Sequence, residues 1–281
     1  MKKQSVVVTG IGIVSSLGEG PDAHWNALSA GAVPLTDEAS FAPWTVHPLP
    51  ALNLDAQIPK KGDQRQMEPW QRLGTYAAGL AIDDAGARGL VENMHLIVAA
   101  GGGERDVALD EQVAAELTGA NDGARLNELL ATGLRPTLFL AQLSNLVAGN
   151  ISIVHGVTGS SRTFMGEESA AADALRIALA RISEGRGDIA LVGGAFTAQR
   201  WDMILLYKGH EGLHRGPWAP LSQRDGMILG GMAGFLVLET EAHARARGAR
   251  ILARLDAVAS NATHRTARGK PQRPRATCCR K

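Results

Sequence analysis

The chain has 281 residues, 45% of them apolar and 33 of them glycine, enough for one large domain or two small ones with a filled core and many turns. Aromatic residues make up only 4%, too few for a base-stacking surface, which argues against single-stranded nucleic acid as a partner. The net charge of +1 hides an asymmetry: residues 262–281 hold seven Lys/Arg and no acid, leaving 22 basic against 28 acidic groups, a net of −6, in the rest.

In chain order, Ser5 to Val8 reads as a buried strand and "TGIGIVSSLGEG" as a glycine-rich loop after it. Pro21 to Ala30 is predicted helical, with Asp22 near its start and Trp25 and Leu28 on one face. Pro34 to Gly62 is proline-spotted and aperiodic, a long excursion. Trp70 to Gly86 carries a helical stripe at Leu73, Ala77, Leu80, Ala81 and Ala85, closed by Gly86. Met94 to Ala100 is a strand-length apolar run ending in three glycines. Leu109 to Ala131 is helical by pattern with an interruption from Gly119 to Gly123, and Phe139 to Asn150 is a second short helix.

Ile151 to Val154 and Arg162 to Met165 read as strands. Glu168 to Ser183 is an alanine-rich helix, acidic at its start, basic near its end and closed by Gly185. Asp188 to Gly193 is a continuous apolar strand. Gly226 to Glu239 reads as two short strands broken by Gly230-Gly231, Ala242 to Ala249 as a short basic helix, and Ile251 to Val258 as one more strand. Strands alternating with helices, several apolar on both faces, predict an α/β layered fold. Beyond Ser260 the periodicity gives way to "THRTARGKPQRPRATCCRK", a basic tail expected to be disordered and solvated rather than a nucleic-acid site.

The two cysteines are the adjacent Cys278 and Cys279, inside that tail. No disulfide framework or cysteine-based metal site is readable, so a reducing, cytoplasmic setting is expected. The N-terminal apolar run is glycine-broken and lacks a small-residue cleavage site, so a first strand is expected rather than a signal peptide. No run of about 18 apolar residues is present to span a membrane.

Several motifs fail on inspection. Gly10-x-Gly12 follows a strand but has Ser15 where a dinucleotide fingerprint has its third glycine, so a tight turn is the better reading. "GGGERD" from Gly101 to Asp106 lacks the Lys-Ser/Thr of a P-loop. Ser169 sits in "GEESA", which is no nucleophile elbow, and a small residue packing a helix start explains it better. The eight histidines show no zinc-ligand spacing on a helix. Neither a cofactor nor a metal is expected.

The segment Gly156 to Phe196, "GVTGSSRTFMGEESAAADALRIALARISEGRGDIALVGGAF", reads as strand, turn, helix, turn, buried strand. Together with "TGIGIVSSLG", "LFLAQLSNLVAGNISIVHG" and "RDGMILGGMAGFLVLE", it resembles the β-ketoacyl-acyl carrier protein synthases from about Ser5 to about Ala259. The resemblance implies a thiolase-like layered fold of two similar α/β halves, normally paired as dimers, of which this chain would hold the N-terminal half plus the first strand of the second. The expected division is residues 1–250 for that half, 251–260 for the start of the second, and 261–281 for the tail. The family's two histidines and lysine would lie in the second half, so the resemblance implies a C-terminally truncated member, with a frameshift or premature stop as the expected cause.

The resemblance also places a nucleophilic cysteine at the opening of the helix. Counting back from Gly193-Gly194, through Asp188 and Gly185, that position is Glu168. An anion suits a helix N-terminus, where a thiol would be activated as thiolate. A carboxylate, however, would form an anhydride rather than the thioester that condensation needs. The backbone N–H of Glu168 could still serve as an oxyanion-hole donor. The loop carrying Glu104 and Arg105 would line the acyl pocket, and its charge makes a long apolar chain a poor guest. Gly230 and Gly231 would lie on the substrate side, with Met232 where the family has a small residue.

Cysteine-less relatives of this kind are chain-length factors, which pair with a cysteine-bearing synthase in fatty acid or polyketide synthesis. The implied partners are therefore such a synthase or a second copy, together with acyl carrier protein; no nucleic acid or membrane partner is expected. Two alternatives are a malonyl-carrier protein decarboxylase supplying starter units and a truncated pseudoenzyme without function.

Overall fold

The computed structural model describes residues 3–103, 105–119, 122–135, 138–166, 169–209 and 212–260; the basic tail lies outside them. The first strand, β1 (Val6–Ser15), turns into β2 (Gly18–Glu19) and helix α1 (Gly20–Ser29). After β3 (Val46–His47) and α2 (Lys61–Gln66) comes the long α3 (Pro69–Asp84), then β4 (His95–Ala100). Four helices follow: α4 (Val107–Glu116), α5 (Gly123–Gly133), α6 (Leu138–Ala141) and α7 (Leu146–His155). The chain continues through β5 (Ser161–Met165), α8 (Ala170–Ser183), β6 (Ile189–Thr197), α9 (Trp201–Lys208), β7 (Leu229–Thr240), α10 (Glu241–Ala246) and β8 (Ala253–Arg254).

The strands form one mixed sheet in the order β2-β1-β7-β6-β4-β5. Strands β4, β5 and β6 are parallel, while β7 runs antiparallel to both β6 and β1. Strand β8 adds to β1, and β3 pairs in parallel with the first residues of β7.

Two helical layers cover the sheet unequally. On one face α3 and α7 bury Trp70, Leu73, Tyr76, Ile82, Val147 and Ile151 against Leu96, Val98, Leu191, Phe235 and Val237. On the other face α8 presents Ala170, Ala174, Ala178 and Ile182, a strict four-residue repeat, to Val6, Val8, Ile97, Ala99, Val192 and Leu238. Small residues on that stripe let the helix lie close to the strands.

The structure corrects several expectations. The stretch after Val8, expected as a loop, continues β1 to Ser15. Its glycines serve packing: a Cβ on Gly10 would stand 2.4 Å from the Ala81 carbonyl oxygen, and one on Gly12 would stand 2.0 Å from that of Ala77. Helix α3 thus rests directly on the strand backbone. Ile151 to Val154 is not strand but the last turns of α7, ended by Gly156 at φ 75°. The span from Phe139 to Asn150 is two helices, α6 and α7, rather than one. Gly230-Gly231 does not break β7, which pairs with β6 from Thr197↔Gly231 to Ile189↔Glu239. The expected strand from Ile251 to Val258 is reduced to Ala253–Arg254. The excursion before Gly62 holds β3 and a 3-10 turn at Leu54–Ala56.

On α1 the expected apolar face is outside, with Trp25 72% exposed; the buried residue is His24. Its Nδ1–H donates to the Gly20 carbonyl, so its Nε2 accepts from the Ser15 hydroxyl at 2.8 Å, pinning α1 to the end of β1.

Two polar networks are built into the core. Glu239, with no exposed side-chain surface, accepts from Arg247, His243 and Thr9. Burial pushes its carboxyl up, but these donors outweigh burial and hold it below the ordinary range. Arg247 also donates to the Ala85 carbonyl, tying α10 to the end of α3. Beneath α3, buried His155 donates from Nε2 to the Thr75 carbonyl and accepts at Nδ1 from Arg88, which also bonds Asp83 and Gln57. Burial first, and then the Arg88 charge, hold His155 below its ordinary value and keep it neutral.

Candidate functional site

The carboxyl ends of parallel β4, β5 and β6 meet the amino end of antiparallel β7 at one edge of the sheet. In open α/β sheets this is where ligands bind, because loops leave the strands there and helices begin. Three segments leave the sheet there: Gly101 to Gly103 after β4, Gly166 after β5, and residues 198–200 after β6.

The turn after β5 passes through Gly166 at φ 139°, a conformation that favours glycine. Glu168 lies outside the described residues. The next residue, Ser169, adopts helical angles without capping α8 by its side chain. Its neighbour on the next turn, Asp173, is held below the ordinary carboxylate range by hydrogen bonds from Ser260, then Arg176 and Ser169. The Ser260 hydroxyl reaches Asp173 at 2.9 Å, so the chain after β8 crosses back to the first turn of α8.

Glu104 also lies outside the described residues. Arg105 forms a two-pronged ion pair with Asp110 at 2.6 and 2.7 Å, across the start of α4. Its guanidinium is thus held by its own loop. Gly230 and Gly231 serve the packing of β7: a Cβ on Gly230 would stand 2.8 Å from that of His47, and one on Gly231 2.9 Å from the Gln199 amide oxygen. Of the expected residues, Arg105, Gly230 and Gly231 share this end of the sheet, with Gly231 paired to Thr197.

The segment after β6 carries little signal in the sequence. Arg200 donates from Nη2 to the Gly103 carbonyl at 3.2 Å and forms an ion pair with Asp202 at 3.0 Å. Its guanidinium lies 5.8 Å from the centre of the Phe196 ring. That ring in turn lies across Gly101. The available signal was an aromatic residue just past the Gly193-Gly194 pair, followed by Arg-Trp-Asp; no periodicity marks it.

A mixed sheet with helices on both faces and loops at the parallel strand ends defines a layered α/β fold. Comparison with known proteins gives it a family. Residues 3–244 match the model of the β-ketoacyl synthase N-terminal domain, and the chain belongs to that family. It is 29% identical over 268 residues to 3-oxoacyl-[acyl-carrier-protein] synthase 2 of Vibrio cholerae serotype O1, covering 90% of this chain and 62% of that protein. It is 27% identical over 263 residues to nodulation protein E of Rhizobium leguminosarum bv. trifolii, with the same coverage.

Among solved structures it is similar to the ishigamide ketosynthase/chain length factor, with a TM-score of 0.72, 27% identity, and coverage of 90% of this chain and 62% of that one. A β-ketoacyl synthase from Burkholderia phymatum shares the fold at a TM-score of 0.70 and 24% identity, over 90% of this chain and 63% of that one. The fold is the thiolase-like layered fold expected from the sequence. The chain spans about 62% of the length of the curated relatives it matches. Among the described residues, no helix is long and apolar enough to cross a membrane.

Proposed function

We propose that this chain is a β-ketoacyl synthase-like subunit of fatty acid or polyketide synthesis that does not itself condense, and that it works beside a cysteine-bearing synthase as a chain-length-factor-type partner. One observation carries the reading: no cysteine lies within the matched residues 3–244, since the two in the chain are Cys278 and Cys279. Condensation passes an acyl group from a carrier thioester to an enzyme thiol and back to a carbon nucleophile. With Glu168 at the thiol position, the acyl group has no thioester to rest on.

Three further features support pairing. Strand β5 is at the sheet edge, bonded among the described residues only to β4, and its Met165 is 71% exposed. An open strand edge is a template for a strand from another subunit. Phe139 on α6 and Ile153 on α7 are 70% and 74% exposed, apolar surface of a kind that a partner covers. The similar ishigamide protein is named a ketosynthase/chain length factor. In this reading Glu104, Arg105, Gly230 and Gly231 line the side of the site that meets a carrier-bound acyl thioester, and acyl carrier protein is the second partner.

Intact mass spectrometry of malonyl-loaded carrier protein, incubated with this chain alone, tests the reading. No loss of carbon dioxide is expected. Loss that disappears in Glu168→Ala would replace this reading with a starter-supplying decarboxylase.

A further inference from the structure

We infer that His214 is a proton-operated clasp: as imidazolium it holds residues 212–227 closed over the small apolar cluster between β3 and α9, and loss of its proton as pH rises releases them. The inference is independent of the acyl-thioester reading above.

This segment lies between α9 and β7 and covers an apolar cluster of its own. Leu213 is buried there with Val46, Ala198, Ile204 and Leu229, rimmed by Phe41, Trp44 and Trp201. Two backbone bonds close the segment on itself. The His214 N–H donates to the Met227 carbonyl at 2.9 Å, and the Met227 N–H donates to that of Gly212 at 2.7 Å. Gly226 permits this approach, since a Cβ there would stand 2.5 Å from the His214 backbone nitrogen. Further bonds tie the segment to the chain leading into β3. The Gly216 N–H donates to the Pro43 carbonyl at 3.1 Å, and the Thr45 hydroxyl donates to the Gly216 carbonyl.

The His214 ring spans the two arms of the segment. Its Nδ1 is 2.9 Å from Asp225 Oδ1 and its Nε2 is 2.9 Å from the Pro217 carbonyl oxygen, with the side chain only 12% exposed. A carboxylate and a carbonyl can only accept, so the ring satisfies both only when each nitrogen carries a hydrogen. Either neutral tautomer would turn a lone pair onto an oxygen and open one arm. The Asp225 bond first, and then the Pro217 bond, raise the ring above its ordinary value of 6.5; slight burial and the Arg224 charge oppose them. The Asp225 carboxyl is in turn held below the ordinary range, chiefly by His214. The other charged or titratable groups around the segment are Arg215, which acts on Asp225, Glu38, which accepts from the Trp218 N–H, Lys208 of α9, over the Trp44 ring, and His47 of β3, bonded to the Leu35 carbonyl.

A group whose value is raised in the closed state holds its proton more tightly there than in the open state. The clasp is therefore fully formed below about pH 6.5 and weakens as pH rises through the raised value. Because the segment leads straight into Leu229 and Gly230, which pair with β3, its release loosens the start of β7 beside the parallel strand ends.

Hydrogen exchange of the full chain at pH 6 and pH 8.5, corrected for intrinsic chemical rates, tests this. Protection of the His214, Gly216 and Met227 amides should fall several-fold between the two, by at most about tenfold per pH unit, while β6 keeps its protection. In His214→Gln the same amides should be weakly protected and equally so at both values. Asp225 is 86% exposed, so Asp225→Asn leaves the core untouched; it should move the fall to lower pH. Proton NMR of the ring, assigned by its loss in His214→Gln, should show it titrating above 6.5. Protection that does not change with pH, or that changes equally in His214→Gln, overturns the inference, and so does a ring that titrates below 6.5.

Discussion

The two faces of the sheet are covered by different means: α3 and α7 bury large side chains on one, and α8 lays a stripe of alanines on the other. Under α3 and α7 the side chains of Trp70, Tyr76, Ile82, Ile151 and Phe235 are at most 2% exposed, and even the polar His155 has a partner for each ring nitrogen. Under α8 the alanine stripe and Ile182 are at most 5% exposed, and partly buried apolar side chains rim both faces, Leu80, Leu90 and Val154 on the first and Leu175, Ile177 and Leu179 on this one. Phe196 and Met232 on the same face are exposed. The first face is held by large interlocking side chains, the second by the close approach of a helix backbone to the strands.

This contrast can be broken in graded steps. The largest effect is expected from Arg247→Ala at the margin of the α3 side. It leaves Glu239 buried without its main counter-charge and should lower unfolding free energy by about 3–5 kcal/mol, measured by denaturant titration. Gly12→Ala should cost about 1–3 kcal/mol, because the added methyl meets the Ala77 carbonyl. Gly62→Ala, where the same methyl meets nothing within 4 Å in a helical turn, should be neutral or slightly stabilising.

A third, smaller effect is a pH slope. His155 is held below its ordinary value of 6.5, so the unfolded chain takes up a proton first as pH falls. Its contribution is complete above about pH 6.5 and is lost from there down towards the folded-state value. Thermal melts at pH 7 and pH 5.5 should therefore differ more in the native chain than in His155→Gln. The smallest effect belongs to the outer side of α8: Ala171→Ser, at an exposed position, should change the stability of the chain alone by no more than about 0.5 kcal/mol. A loss comparable to that of Arg247→Ala would show that the outer side of α8 is packed.

What the sequence revealed, and what it concealed, follows the same division between local and distant causes. Helix α3 was legible because Leu73, Ala77, Ala81 and Ala85 repeat with the helical period and are indeed buried. Helix α8 was legible from its alanines and its closing glycine, and β6 from its apolar run. The extension of β1 was hidden because Gly10 and Gly12 look like a loop until the carbonyls of α3, some seventy residues away in sequence, are brought against them. Ile151 to Val154 has the β-branched composition of a strand, yet it continues α7. That helix packs where Gly74 of α3 makes room for Val147. At the site, Glu168 lies outside the described residues, so its place ahead of α8 stays a reading of the sequence. The Phe196–Arg200–Asp202 arrangement was not legible, because it exists only once the loop after β4 lies beside the end of β6.

The most direct test of the central claim is native mass spectrometry of this chain mixed with a cysteine-bearing β-ketoacyl synthase, alongside the chain carrying Met165→Asp on the open edge of β5. A one-to-one complex is expected, weakened by the substitution while the chain's own melting temperature stays unchanged. A chain that remains a stable monomer in the presence of the synthase would contradict it.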